Sequence, residues 1–186
     1  MDKRLFDLAI DKVNVVLERH LTWLEKAYGR TVRRGATKID SRTSNPSKGR
    51  EQLYFYPSLY GENGEYINML PSDSRKNVCF WQVHDAQTVD DNMTFPRLTA
   101  KVSCIFWVKL TDIYAEADYE YTENIKEDIL DALKVAPYVN VKKIYEEPKN
   151  VFSDYAVSEV PVQFQMFPYY SIKVEMEMTV QMGCRE

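Results

Sequence analysis

Residues 171–182, SIKVEMEMTVQM, alternate without a break. Ile172, Val174, Met176, Met178, Val180 and Met182 fall on one side of an extended chain; Ser171, Lys173, Glu175, Glu177, Thr179 and Gln181 fall on the other. That is the period of a strand, and it predicts one buried apolar face and one wet, charged face. A second stretch repeats the pattern: Ala100, Val102, Cys104, Phe106, Val108 and Leu110 share a face of a strand expected over 98–110. Twelve or thirteen strand residues span about 40 Å. A compact chain of 186 residues has a radius of gyration of about 16 Å, so it is also about 40 Å across. Each long strand therefore crosses the whole domain or projects beyond it. A projecting strand offers its edge to another chain.

The remaining elements assemble around these two. Leu5, Leu8, Ala9, Val13, Val16, Leu17, His20, Leu21, Leu24 and Tyr28 recur at three- and four-residue spacing, which predicts an amphipathic helix over 2–28, stopped by Gly29. Residues 29–51 are poor in apolar side chains and rich in Gly, Ser, Thr and Asn, and are expected to form a long loop or arm. LYFYPSLY (53–60) and EYINML (65–70) flank Gly61-Glu62-Asn63-Gly64 and predict a hairpin insertion at 53–70, with Pro57 placing its first strand at an edge. VCFWQV (78–83) reads as a short strand followed by a polar connection at 85–97. Thr122 is a suitable cap for a helix at 123–135, whose apolar face holds Ile125, Ile129, Leu130, Ala132 and Leu133 and which Pro137 ends. Strands are expected at 139–145 and 160–167, the latter separated from the last long strand, 170–182, by Pro168. The order predicts a single α+β domain over residues 1–186: one mainly antiparallel sheet with long strands, packed against an N-terminal helix and a second helix.

Composition narrows the function classes. Hydrophobic residues make up 45% of the chain, enough for a core without staples. Cys79, Cys104 and Cys184 are few, odd in number and widely spaced, which argues against a disulfide framework and for buried structural thiols made in a reducing compartment. The opening MDKRLFDLAI has no apolar signal core, and no stretch reaches the length of a membrane span, so no membrane association is expected.

No catalytic motif stands out. His20 lies on the apolar side of the first predicted helix and is expected to pack there. His84 is followed by Asp85, but neighbours in a strand point to opposite faces, so the two do not form a dyad by adjacency. Neither Cys79 nor His84 has partners at metal-ligand spacing. Glu116, Asp118, Glu120, Glu123, Glu127 and Asp128 lack the spacing of a calcium loop and read as a solvated acidic face. Six glycines supply no phosphate-cradling loop. No enzyme activity, cofactor or metal is expected.

Charge is the informative asymmetry. Arg30, Arg33, Arg34, Lys38, Arg42, Lys48 and Arg50 lie within 21 residues that hold a single acid, Asp40, in a chain with 24 basic and 28 acidic residues. An acidic body thus carries one basic segment, expected to bind a partner. That partner is either an acidic neighbouring subunit or, in the alternative reading, the phosphates of a nucleic acid held by a monomeric binding module.

The sequence of elements, with RLTAKVSCIFWVKL, then ENIKEDILDALK, then VNVKKIY and finally YSIKVEMEMTVQM after an N-terminal helix, resembles the tail-terminator and neck-joining (head–tail connector) proteins of tailed bacteriophages. The resemblance is one of element order over about 98–182 plus the first helix. It implies a structural virion protein that forms a ring, hexameric or larger, joined to other virion proteins near the DNA passage. It transfers no site residue.

Overall fold

The computed structural model describes residues 5–39, 51–61, 64–91, 95–116, 121–156, 158 and 160–182, with the side chains of 37–39 and 51–52 excepted. Its centre is the pair of long strands. β6 (Arg97–Lys109) and β8 (Tyr169–Gln181) run antiparallel in unbroken register from Arg97 opposite Gln181 to Lys109 opposite Tyr169. β5 (Val78–Asp90) adds antiparallel to β6, and β7 (Val139–Tyr145) adds antiparallel to β8. β1 (Lys26–Arg30) closes the sheet in parallel with β5, giving the order β1-β5-β6-β8-β7. The fold is α+β and mainly antiparallel, as expected.

The apolar face of the alternation is buried as the period predicts. Val102, Cys104, Phe106 and Val108 of β6 and Ile172, Val174, Met176 and Met178 of β8 are completely covered. The cover is α1 (Leu5–His20), through Phe6, Ala9, Ile10, Val13 and Leu17, together with α3 (Tyr121–Val135), through Ile125, Ile129, Ala132 and Leu133. Each such side chain contributes about 1.5–3 kcal/mol on leaving water. This single face accounts for most of the domain's cohesion. A one-turn helix, α2 (Leu110–Ile113), leads from β6 toward α3.

Several expectations are corrected. The first helix stops at His20, not Tyr28. Leu21 and Leu24 keep the helical spacing because both are anchored in the same core, but a turn at 21–25 redirects the chain, and residues 26–30 then find their backbone partners in β5. His20 is exposed at the helix end and does not pack. The strand at 78 does not end at 83. It continues to Asp90, with Gln87–Asp90 paired to Arg97–Ala100 beyond a bulge at 84–86. Its outer half looked like a connection because its side chains, from Asp85 on, are all exposed.

The third correction concerns the basic segment. It is not a loop over its first half: β1 takes residues up to Arg30, and β2 (Val32–Ile39) pairs antiparallel with β3 (Glu51–Tyr60) through eight consecutive positions. β4 (Tyr66–Asn68) pairs on the far side of β3, so Pro57 sits in the central strand of a three-stranded arm, not at an edge. The proline falls just before the Ser58–Tyr60 stretch that pairs with β4, where its carbonyl accepts the Met69 N–H at 2.7 Å. Finally, residues 160–167 contain a short 3-10 helix, Val162–Gln165, where a strand was expected. Prolines at 161 and 168 remove donors a ladder would need, and Phe164 alone of those four turn residues is buried.

The second sheet face is also covered, against the expectation of a wet surface. Ser171, Lys173 and Glu175 are 4%, 4% and 8% exposed. Residues 148–156, beginning with α4 (Pro148–Val151), and residues 160–165 lie over them. Val151, Phe152, Tyr155, Val160 and Phe164 join Phe80, Ile105 and Trp107 in a second core, against which Tyr56, Leu59 and Ile67 of the arm also pack. Only toward the end of β8 does the charged face open, at Glu177.

Candidate functional site

The basic segment yields two described, exposed cations. Arg33 and Arg34 are successive residues of β2, so they leave the ribbon on opposite faces. Each lies on an aromatic ring of its own arm: the Arg33 guanidinium is 3.7 Å from the centre of Phe55, and that of Arg34 is 4.2 Å from the centre of Tyr66. Stacking of this kind is worth about 0.5–1 kcal/mol at an exposed site. It holds both side chains along the ribbon.

Arg30 stands apart, half-buried on β1 opposite Trp81. Lys38 lies on β2 in backbone, but its side chain is outside the described residues, as are Arg42, Lys48 and Arg50 altogether. The described cations therefore do not form one basic face. They straddle a ribbon whose outer edge, over the eight residues of β2, has no strand partner among the described residues. That edge is regular, and Val32 to Ala36 are exposed along it.

A second cluster was invisible in the sequence. On the covered sheet face, His84 Nε2 and Ser103 Oγ are 2.9 Å apart. Lys101 Nζ pairs with Glu175 Oε2 at 3.0 Å, which also accepts the Tyr145 hydroxyl at 3.4 Å. Lys173 Nζ donates to Ser153 Oγ at 3.2 Å and lies 4.8 Å over the Tyr145 ring. Gln82 Nε2 donates to Asp154 Oδ2 at 3.2 Å. Strand register sets these groups side by side, since Ser103 lies opposite both Gln82 and Glu175.

Burial, then the Lys101 charge, holds the His84 pKa below its usual range, with Asp154 and Glu175 pulling the other way. Burial likewise lowers Lys173, against the same two carboxylates. A Ser–His contact invites a nucleophile reading, but Ser103 is completely buried and no substrate atom reaches its oxygen. Asp85 is exposed while His84 turns inward, so these two do not act as a pair. The chemistry is that of a polar seam under α4 and the turns that follow it, hydrogen-bonded but for the buried Gln82 Oε1, which has no partner among the described residues.

The other candidates disperse. Cys79 and Cys104 are buried free thiols in the first core, and burial raises Cys104, which also contacts Cys79; Cys184 lies outside the described residues. Of the acidic cluster, Glu123 pairs with Lys126 and Asp128 accepts the Trp23 indole N–H at 3.0 Å, while 118 and 120 are outside the described residues. Among the described residues no three potential ligands converge on a metal position, and no helix is long and apolar enough to cross a membrane.

In comparison with known proteins, no protein-family model matches this chain, and no curated protein matches it.

Proposed function

We propose that this chain is a structural subunit that assembles into a closed ring at the head–tail junction or tail end of a tailed phage, in which the basic arm of one subunit grips the acidic body of the next. The observation that carries the reading is the regular edge of β2, without a strand partner among the described residues and flanked on its two faces by Arg33 and Arg34. An unpaired strand edge is a template for a further strand, and monomeric proteins blunt such edges. Here the arginines discourage indiscriminate pairing and select a partner of opposite charge. The rest of the chain supplies that charge, because its acids outnumber its bases once the basic segment is set aside. Contacts between unlike surfaces of identical subunits close into rings when the rotation allows.

Light scattering on the purified chain at two concentrations and two salt levels tests this. A defined multiple of the subunit mass is expected, reduced when Arg33 and Arg34 are both changed to Glu. A strict monomer under every condition contradicts assembly driven by the chain's own contacts.

A second reading rests on the same arm. Arginines laid beside Phe55 and Tyr66 also suit single-stranded nucleic acid, where cations meet phosphates and rings meet bases. It predicts salt-dependent DNA binding that disappears in the double Glu variant. The opposite orientation of the two arginines favours the protein clamp, since a phosphate track needs its cations on one side.

A further inference from the structure

Resting on the ring reading and naming the contact within it, we propose that the outer edge of β2 pairs, strand to strand, with the outer half of β5, residues 87–90, in a second copy of this chain. Both segments lie among the described residues.

The two edges arise at one fork. β1 follows β5 only as far as Trp81, opposite Arg30. There the Thr31 N–H and hydroxyl both donate to the Trp81 carbonyl, at 2.7 and 2.8 Å. The next residue, Val32, belongs to the other sheet and pairs with Ser58 of β3. From that point β5 has β6 on one side and, among the described residues, no strand on the other. β2 in turn has β3 on one side and, among the described residues, no strand on the other. Each edge is a row of backbone donors and acceptors that suits the other.

Beyond its bulge β5 is also bare on both faces. Ala86 to Asp90 are all exposed, although successive side chains of a strand point to opposite sides. Val89 alone leaves 52% of its surface in water, and Val32 at the start of β2 leaves 41%. A strand that packs on no core and pairs on one side gains little by staying extended, and a further strand supplies what it lacks.

Charge selects this edge over the others. The two sheets end at β1 and β7 and at β2 and β4. β1 carries Lys26 and Arg30, and β7 carries Lys142 and Lys143, with no acid in either. β4 is three residues long and uncharged. These edges, like the β2 edge of another copy, offer Arg33 and Arg34 like charge or none. The outer part of β5 instead has Asp85, Asp90 and Asp91, with no base from 85 to 91. All three acids are exposed. Opposite charges across a strand pair stabilise it, and like charges oppose it. The eight residues of β2 are long enough to span residues 87–90. Each copy carries one edge of each kind, so the contact repeats from copy to copy.

Amide exchange on the wild-type chain at rising concentration, read beside light scattering, tests the contact without any substitution. Protection is expected to rise together at 32–36 and 87–90 as the mass rises. Charge exchange then tests the pairing. Arg33→Glu with Arg34→Glu, and Asp85→Lys with Asp91→Lys, are each expected to raise the half-assembly concentration about 10-fold or more. The chain carrying all four changes is expected to recover most of that loss, because its edges again have opposite charge. Circular dichroism shows which variants are folded; the wild-type exchange decides the matter if one is not. An oligomer whose amides at 87–90 exchange as fast as in the monomer overturns the proposal and leaves the ring reading standing. A folded four-change chain that assembles no better than either pair of changes also overturns it. An assembly that stops at two copies, with both segments protected, upholds the contact and removes the ring. A monomer at every concentration overturns both.

Discussion

Asn14 sits on the buried side of α1 and holds three elements together. Its amide donates to the Tyr28 carbonyl at 3.1 Å and the Ala27 carbonyl at 3.4 Å, and its oxygen accepts the Trp81 indole N–H at 2.7 Å. Helical spacing alone marks it as a polar interruption of an apolar stripe; its use depends on where β1 and β5 come to lie. Asn14→Ala strands the buried Trp81 donor and is expected to cost about 2–3 kcal/mol in urea unfolding. A loss below half a kcal/mol would show that the three bonds do not matter. His84 supplies a pH prediction. The unfolded chain protonates near 6.5, whereas burial and Lys101 hold the folded group lower. The stabilisation is complete above 6.5 and declines as pH falls from there through the folded value, because unfolding then takes up a proton. Lys101, Lys173, Asp154 and Glu175 face the ring and set how far down this window reaches. His84→Gln should flatten the fall of stability between pH 7 and pH 5. An unchanged slope across urea titrations in that range would assign it to other groups.

At the scale of elements, β5 is two strands in one. Its first six residues, Val78–Val83, are buried except for half-buried Gln82 and pair with β6 on one side; Val78–Trp81 also pair with β1 on the other. Beyond the bulge, Gln87–Asp90 pair on one side only and are exposed throughout. Amide exchange should therefore be slow at 79–81 and faster by orders of magnitude at 87–90 in the isolated subunit, with protection appearing at 87–90 on assembly. Equal protection along the whole strand in a monomer would contradict this division. β8 is uniform by contrast. Met176, with no exposed surface, lies between Val102 and Val141, so Met176→Ala should cost about 2–5 kcal/mol. Differential scanning calorimetry reads that loss as a lowered midpoint.

At the scale of the whole molecule, charge and edge are segregated. Arg33 and Arg34 project from the arm, and Asp91 stands exposed just past the far end of β5. Attraction between such ends is screened over about 10 Å at 0.1 M salt and about 3 Å at 1 M. Assembly is expected to weaken as salt rises, and the double change of Arg33 and Arg34 to Glu should shift the half-assembly concentration upward most at low salt. An oligomer whose mass ignores both salt and these substitutions would be held by apolar contacts alone.

The sequence by itself determined what depends on local period. The two long strands, the helix expected at 123–135 (it begins two residues earlier, at Tyr121, so Thr122 lies within it) and the strand at 139–145 were legible because alternation and 3.6-residue spacing are properties of neighbours in the chain. The α+β class followed from their order. The tertiary structure alone decided which faces stay wet. Ser171, Lys173 and Glu175 alternate like solvent-facing residues, yet they are buried because α4 and the residues that follow it fold across them, with Ser153 accepting from Lys173 and the β7 residue Tyr145 donating to Glu175. It also decided that the first part of the basic segment becomes strand, since β1 and β2 gain their partners from residues about 50 and 12–26 positions away in sequence.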